Sequence, residues 1–167
     1  MEYAIRRART SDVRAIGGLV DDNVASGRLL AKATVTLYED VQEFWIAERI
    51  GDGGVIGCGA LHVLWEDLAE IRTIAVRADC QGEGVGHRLV AALLGSAREL
   101  GVRRVFVLTF AVGFFAGHGF SQIHGSPVSP EVYEELLRSY DEGVAEFLDL
   151  DRVKPNTLGN SRMLLHL

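Results

Sequence analysis

The sequence predicts a single α/β domain over residues 1–167, built on a mixed sheet with a parallel β-α-β unit at its centre. Three observations predict this fold. Leu68–Val76 reads as a strand and is followed by a glycine-rich loop and an amphipathic helix. Arg104–Thr109 is an apolar run of strand length, as expected for a parallel strand covered on both faces. The glycine turn at 51–54 joins two earlier strand patterns into an antiparallel hairpin.

Composition limits the classes of function. With 167 residues and 48% hydrophobic residues, the chain can form one core, and no linker divides it. A net charge of −6 without a basic cluster argues against nucleic acid as a partner. No apolar run is long enough for a signal peptide or a membrane span, so we expect no membrane partner. Cys58 and Cys80 lack metal or disulfide spacing, which is typical of reduced cytoplasmic thiols.

The first 64 residues predict strands and helices in alternation. Thr10, Ser11 and Asp12 offer cap oxygens to a helix with a regular apolar face. Residues 21–32 are polar and predict a loop or weak helix, and Thr34 or Thr36 caps a short helix that ends near residue 42. The predicted strands of this part are Tyr3–Arg7, Phe44–Glu48 and Val55–Leu64.

The part after the second parallel strand predicts short elements. Pro130 follows Ser129, which is a typical start of a helix. Residues 149–160 are punctuated by proline and glycine and predict irregular structure. The other predicted elements are a helix over Val112–His118, a brief strand over Phe120–Ile123 and a closing strand over Arg162–Leu167.

The glycine-rich loop is the clearest functional signal. Gln81–Gly86 reads Q-G-E-G-V-G, and a helix is predicted from His87 to Leu100, with Gly101 as its C-terminal cap. A helix N-terminus offers unpaired N–H groups and the positive end of a dipole, which suits a phosphate or pyrophosphate. The spacing is not that of the dinucleotide-binding fingerprint, and the Gly-Lys-Ser/Thr of a Walker A loop is absent.

Gln-x-x-Gly-x-Gly after a strand resembles the acyl-CoA loop of the GCN5-related N-acetyltransferases (GNAT). The segments L-A-E-I-R-T-I-A-V, R-R-V-F-V-L-T-F and F-F-A-G-H-G-F, and the tail E-F-L-D-L…K-P-N…G-N-S-R, resemble the short bacterial N-acetylglutamate synthases without an amino-acid-kinase domain. The resemblance implies a GNAT fold with a mostly antiparallel sheet and a central acyl-CoA-binding β-α-β unit. It also implies a cytoplasmic acyltransferase that moves the acetyl group of acetyl-CoA to the α-amino group of L-glutamate, the first step of arginine biosynthesis.

The resemblance places acetyl-CoA, as co-substrate, on the end of the first parallel strand and on the loop. Backbone groups of the strand would bond the pantetheine and the thioester oxygen, and N–H groups of the loop would bond the pyrophosphate. His87 could also touch a phosphate from the helix start. The residues expected to hold acetyl-CoA are Ile74, Ala75, Val76, Gln81, Gly82, Gly84, Val85, Gly86 and His87.

Glu70 is the candidate general base, acting through water. It lies four residues before Ile74 on the predicted strand and matches an acidic position that is often catalytic in the family. Alternatively, Glu70 is a solvated acid or pairs with Arg72. Relatives often protonate the thiolate with a tyrosine where this chain has Phe114 and Phe115, which we interpret as core and wall residues, so the general acid is left open among Tyr133, Tyr140, Ser161 and water.

A dicarboxylate substrate needs local cations in a chain of this charge. Arginine suits carboxylates because its guanidinium donates two parallel hydrogen bonds. Arg162, flanked by Asn160 and Ser161, matches the element that holds substrate carboxylate in the synthases; Lys32 and Arg72 are further candidates, and Lys32 is alternatively a solvated charge.

The remaining expectations concern metals, partners and rival functions. The five histidines lack ligand spacing, so we expect no metal site. The predicted partner is the small-molecule substrate, and a homodimer is compatible with the sequence. The rival functions are an acetyltransferase for another small amine or amino acid and a non-catalytic acyl-CoA-binding sensor.

Overall fold

A computed structural model describes residues 1–167 except the side chain of Asn156, so the asparagine of the K-P-N motif lies outside the described side chains. The strands are β1 Tyr3–Arg7, β2 Phe44–Arg49, β3 Val55–Trp65, β4 Leu68–Val76, β5 Arg104–Thr109, β6 Ser121–Gln122 and β7 Ser161–His166. The helices are α1 Val13–Ala25, α2 Thr34–Glu39, α3 Val85–Glu99, α4 Val112–Ala116, α5 Pro130–Leu136, α6 Glu142–Phe147 and α7 Lys154–Thr157.

The strands form a seven-stranded mixed sheet in the order β1-β2-β3-β4-β5-β7-β6. The β1–β2 and β2–β3 pairs are antiparallel, as are β5–β7 and β6–β7. β4 and β5 are parallel, with Leu68 opposite Arg104 and Glu70 opposite Phe106. The predicted fold class is therefore confirmed, including its hairpin and its central parallel pair.

The chain folds into two compact units. The first unit is Met1–His62 with Ile71–Leu100, and the second unit is Val63–Glu70 with Gly101–Leu167. In the first unit, the predicted apolar face of α1 packs against Phe44 and Ile46 of β2. In the second unit, Phe106 and Phe147 meet edge to face, with ring centroids 5.4 Å apart, at the centre of an apolar cluster.

The structure corrects several predicted boundaries. α1 continues to Ala25, so residues 21–25 are helical, and the N-terminus of α1 is arranged differently from the predicted capping. A 3-10 turn, Thr10–Asp12, precedes the helix. Its last residue, Asp12, accepts a hydrogen bond from the backbone N–H of Arg9 at 2.7 Å and forms an ion pair with Arg6 at 2.8 Å. No side chain caps α2, contrary to the prediction for Thr34 or Thr36.

Near the C-terminus, the stretch predicted as irregular contains a 3-10 turn and α7. α6 was not predicted, although Asp141 is its N-cap and accepts from the N–H of Val144 at 3.2 Å. The helix start at Ser129 and Pro130 is confirmed, since the Ser129 hydroxyl accepts from the N–H of Val132.

Candidate active site

The glycine-rich loop lies in the first unit between a 3-10 turn at Ala78–Cys80 and α3. Gly82 has a φ of 84° and Gly84, the N-cap of α3, a φ of 77°. Both lie in the left-handed region that glycine adopts without strain. The helix begins at Val85, two residues before the predicted start, so Gly86 and His87 belong to its first turn. The N–H groups of this turn lack intrahelical acceptors and are suited to an anion.

Backbone conformation, and not close packing, explains the two glycines at 82 and 84. A Cβ atom on Gly82 would meet nothing within 4 Å, and one on Gly84 would come no closer than 3.8 Å to the Tyr3 hydroxyl. Packing against the helix therefore does not require glycine at either position, whereas the backbone conformation does. The open space leaves room for a ligand against the loop backbone.

Val85 anchors the loop in the core. Its side chain is 1% exposed and packs with Ala47, Ile56, Cys80 and Leu89. Burial leaves the backbone of Val85 as the part that can face a cofactor. The same holds for Ala75, whose side chain is also buried, while Gln81 and His87 are exposed.

Gly57 of β3 allows the start of α3 and the end of β4 to pack closely. A Cβ on Gly57 would lie 2.9 Å from Cγ1 of Val85 and 3.2 Å from the carbonyl oxygen of Ala75. These distances are too short for a methyl group in a packed interior. Glycine at this position therefore sets the distance between two backbone segments predicted to bind acetyl-CoA.

β4 contains a strained residue. Thr73 has a φ of 58°, which a β-branched residue rarely adopts and which costs about 1–3 kcal/mol. The predicted alternation of β4 is therefore interrupted at Thr73, between Glu70 and Ile74. Such strain is concentrated at functional sites, and it turns the backbone just before the three strand residues expected to bind acetyl-CoA.

Glu70 lies in the second unit, where β4 pairs with β5 opposite Phe106. It is 3% exposed, so the alternative of a solvated strand acid is wrong. A buried carboxylate is costly unless it has partners, and Glu70 does take part in polar interactions. Its burial is compatible with the predicted role as a base.

In the first unit, Lys32 and Arg72 lie near a polar cluster that the sequence analysis missed. Nδ1 of His62 and Oε1 of Glu43 are 2.6 Å apart, and Oε2 of Glu43 is buried without a hydrogen-bond partner among the described atoms. Burial raises the pKa of the Asp40 carboxyl, and the charge of Glu43 raises it further. His62, Arg72 and Lys32 are close enough to oppose this rise. Both predicted substrate cations therefore lie within electrostatic range of the Asp40 carboxyl.

In the second unit, the predicted Asn160, Ser161 and Arg162 share a polar cavity of about 260 Å³, called here the β6–β7 cavity. The amide of Gln122 donates to the Ser161 hydroxyl at 2.9 Å. The cavity combines hydroxyl, amide, imidazole, carboxylate and guanidinium groups. Its lining residues are Gln122, Ile123, His124, Gly125, Asp149, Asn160, Ser161 and Arg162.

The guanidinium of Arg162 has structural partners. Its Nε donates to the carbonyl of Glu146 at 3.0 Å and its Nη2 donates to the carbonyl of Phe147, at the end of α6. Burial lowers the pKa of Arg162, and Asp149 acts in the opposite direction. Asp149 has a φ of 58° and pairs with Lys154 at 2.9 Å, which lowers the pKa of its carboxyl. Arg162 therefore supports the wall of the cavity that it lines.

The candidates for the general acid differ in their surroundings. Tyr140 is 99% exposed, Tyr133 packs against the apolar cluster of the second unit, and Ser161 lines the β6–β7 cavity. Phe115 is buried against Phe120, with ring centroids 5.3 Å apart, which confirms the interpretation of Phe115 as a core residue. Within the described residues no group of His, Cys, Asp and Glu could hold a metal ion, and no described helix is long and apolar enough to cross a membrane.

The sequence of the chain is similar to those of known proteins. Residues 28–120 match the model of the acetyltransferase (GNAT) family. An amino-acid acetyltransferase of Mycobacterium tuberculosis is 63% identical over 98% of this chain and 94% of its own length. An amino-acid acetyltransferase of Neisseria meningitidis is 36% identical over 81% of this chain, which corresponds to 31% of that longer protein.

Solved structures give the same result. A crystal structure of a Mycobacterium tuberculosis protein in complex with CoA and a further ligand has a TM-score of 0.94 and 62% identity, covering 98% of this chain and 99% of that one. N-acetylglutamate synthase from Neisseria gonorrhoeae, complexed with coenzyme A and N-acetyl-glutamate, has a TM-score of 0.78 and 26% identity, covering all of this chain and 35% of that one. The chain therefore belongs to the acetyltransferase (GNAT) family.

Proposed function

We propose that the chain is an N-acetylglutamate synthase, which transfers the acetyl group of acetyl-CoA to the α-amino group of L-glutamate in the first step of arginine biosynthesis. The observation that carries this proposal is the 63% identity to an amino-acid acetyltransferase over nearly the full length of both chains. The Neisseria gonorrhoeae synthase with bound N-acetyl-glutamate supports glutamate as the acceptor. The cytoplasm is the proposed location, since acetyl-CoA is the acetyl donor, and a homodimer stays a prediction.

Acetyl-CoA binds through the backbone of the first unit in this proposal. The N–H groups of the loop and of the first turn of α3 bind its pyrophosphate, because Gly82 and Gly84 leave the backbone open on one side. Backbone groups of Ile74–Val76, just after the strained Thr73, bond the pantetheine and polarise the thioester carbonyl.

The reaction moves one acetyl group and two protons. The α-ammonium of glutamate loses a proton to a water held by Glu70, and the neutral amine attacks the thioester carbon. The nitrogen of the tetrahedral intermediate then loses its second proton, the C–S bond breaks, and the CoA thiolate takes up one proton, so that one proton is released overall. The candidate donors of that proton are Tyr133, Ser161 and water, whereas the side chain of Tyr140 is fully in solvent.

Two places offer charges of the kind that glutamate needs. The first unit combines the cations Lys32 and Arg72 with the carboxylates Asp40 and Glu43, so it provides both signs for a zwitterion. The β6–β7 cavity provides Arg162 together with neutral hydrogen-bonding groups. Arginine and lysine beside such groups suit carboxylates, which supports an acidic amino acid as substrate.

The test is a thiol-release assay with acetyl-CoA and a panel of amino acids and small amines. We expect L-glutamate to give the highest kcat/KM and a product with the mass of N-acetylglutamate. A higher kcat/KM for another amine would mean that the chain is an acetyltransferase whose substrate is that amine and not glutamate. Binding of acetyl-CoA without thiol release for any member of the panel would instead indicate a sensor.

A further inference from the structure

Tyr3, near the N-terminus, contacts the glycine-rich loop at Glu83, which is 80 residues further along the chain. Its hydroxyl donates a hydrogen bond to the carbonyl of Glu83 at 3.2 Å. The Cζ atom of Arg88, in the first turns of α3, lies 4.7 Å from the centroid of the tyrosine ring, and Nη1 of Arg88 donates to the Tyr3 carbonyl at 3.3 Å. The ring is therefore held by α3 while its hydroxyl holds the loop.

The hydrogen bond acts on one peptide unit of the loop. The unit between Glu83 and Gly84 is planar and trans, so its carbonyl and its N–H point in opposite directions. A carbonyl fixed toward Tyr3 therefore turns the N–H of Gly84 away from Tyr3. This constraint matters because Gly82 and Gly84 flank Glu83, and glycine has the largest backbone freedom of any residue.

The first turn of α3 needs its amides oriented before an anion arrives. An N–H that must be ordered during binding costs affinity, whereas one that is already ordered does not. Val85 fixes the helix side of the loop by burial in the core. The Glu83–Gly84 peptide precedes that anchor, and Tyr3 is the side chain that contacts it from the strand side.

We propose that Tyr3 is a positioning residue for the cofactor: its hydroxyl pre-orients the Glu83–Gly84 peptide so that the N–H of Gly84 binds the pyrophosphate of acetyl-CoA. This inference rests on the proposed function insofar as acetyl-CoA is the substrate at this loop. Tyr3 itself touches neither substrate in the proposal and acts through the loop backbone.

The experiment compares two acetyl donors in a Tyr3→Phe variant. Phenylalanine keeps the ring beneath Arg88 and removes the hydroxyl alone. We expect the KM for acetyl-CoA to rise about two- to tenfold, the range that corresponds to one hydrogen bond. For S-acetyl-pantetheine, which has no pyrophosphate, KM should be the same as in the wild type, as should kcat and the KM for glutamate. Tyr38→Phe, on α2 outside the loop, is the matched control and should leave all constants unchanged.

An equal rise in KM for both acetyl donors would overturn the proposal, because the hydroxyl would then contribute only to general stability. An unchanged KM for both acetyl donors would also overturn it, because the hydroxyl would then have no role in cofactor binding. Calorimetric binding of CoA to both proteins provides a readout that does not depend on the acceptor. A weaker CoA affinity in Tyr3→Phe supports the positioning role even if glutamate is not acetylated, and that failure would concern the proposed function alone. An unchanged CoA affinity overturns the positioning role whatever the acceptor is.

Discussion

Arg162 provides a prediction in which stability and substrate binding can be separated. Its guanidinium donates to the carbonyls of Glu146 and Phe147 at the end of α6, and its Cζ lies 5.8 Å from the centroid of the Phe106 ring. Arg162→Ala removes both donors and the ring contact. Each carbonyl keeps a second donor, which is the N–H of Asp149 at 3.2 Å for Glu146 and the Ser126 hydroxyl at 3.0 Å for Phe147.

The magnitude follows from these interactions. A hydrogen bond from a charged donor contributes about 1.5–3 kcal/mol, and the second donor of each carbonyl, together with water entering the β6–β7 cavity, replaces part of each lost bond. We therefore expect the free energy of unfolding to fall by about 2–4 kcal/mol in Arg162→Ala, and by roughly half as much in Arg162→Lys, which keeps one donor group. Arg138→Ala is the matched control: the side chain of Arg138 is 79% exposed and pairs weakly with Glu135, so its loss should change stability by less than about 0.5 kcal/mol.

Urea unfolding followed by circular dichroism measures the stability, and steady-state kinetics on the folded variants measures the substrate role. If Arg162 also binds glutamate, the KM for glutamate rises about ten- to a hundredfold in Arg162→Ala while the KM for acetyl-CoA stays the same. A variant with wild-type stability would refute the reasoning from the α6 carbonyls. A destabilised variant with an unchanged KM for glutamate would remove Arg162 from the substrate site and leave Lys32 and Arg72.

Three further predictions use other parts of the chain. Gly84→Val should weaken acetyl-CoA binding at least tenfold in calorimetry, because valine resists a φ of 77°; unchanged affinity in the folded variant would exclude the loop. Glu70→Gln should lower kcat about a hundredfold at pH 7 and less at higher pH, where the amine needs no base; wild-type turnover at pH 7 would assign the base elsewhere. Asp12→Asn should cost about 1–3 kcal/mol at pH 7 in urea unfolding. Arg6 lowers the pKa of Asp12 from its ordinary 3.8, so the difference from the wild type should persist above pH 3.8 and shrink below it; a constant difference down to about pH 2 would contradict the ion pair.

The fold was predictable where the pattern is local. The bounds of β1, β4 and β5 match the sequence prediction residue for residue, and β4 and β5 are runs rich in aliphatic and β-branched residues. α6 was missed because it is only six residues long and gives little periodicity. Its N-cap, Asp141, is a signal that could have indicated it.

The site was predictable where backbone conformation requires one residue type. Glycines at 82 and 84 are readable because the left-handed conformation excludes most other residues. The cluster of Asp40, Glu43 and His62 could not be predicted from the sequence. Its members are up to 22 positions apart and meet only through the pairing of β2 with β3. The partners of Arg162 on α6 were equally hidden, because a helix that is not predicted cannot be assigned a contact.

Some parts of the site could be predicted and others could not, because backbone groups and side chains have different roles in the proposed site. The groups proposed to hold acetyl-CoA are N–H and C=O groups, which every residue except proline has, so their positions depend on packing rather than on residue identity. Gly57 sets that packing for both segments, since a methyl group there would push on Val85 and on the carbonyl of Ala75. A residue that does not touch the cofactor can therefore affect cofactor binding through the backbone, and Tyr3→Phe tests this for the single hydroxyl that bonds the Glu83 carbonyl.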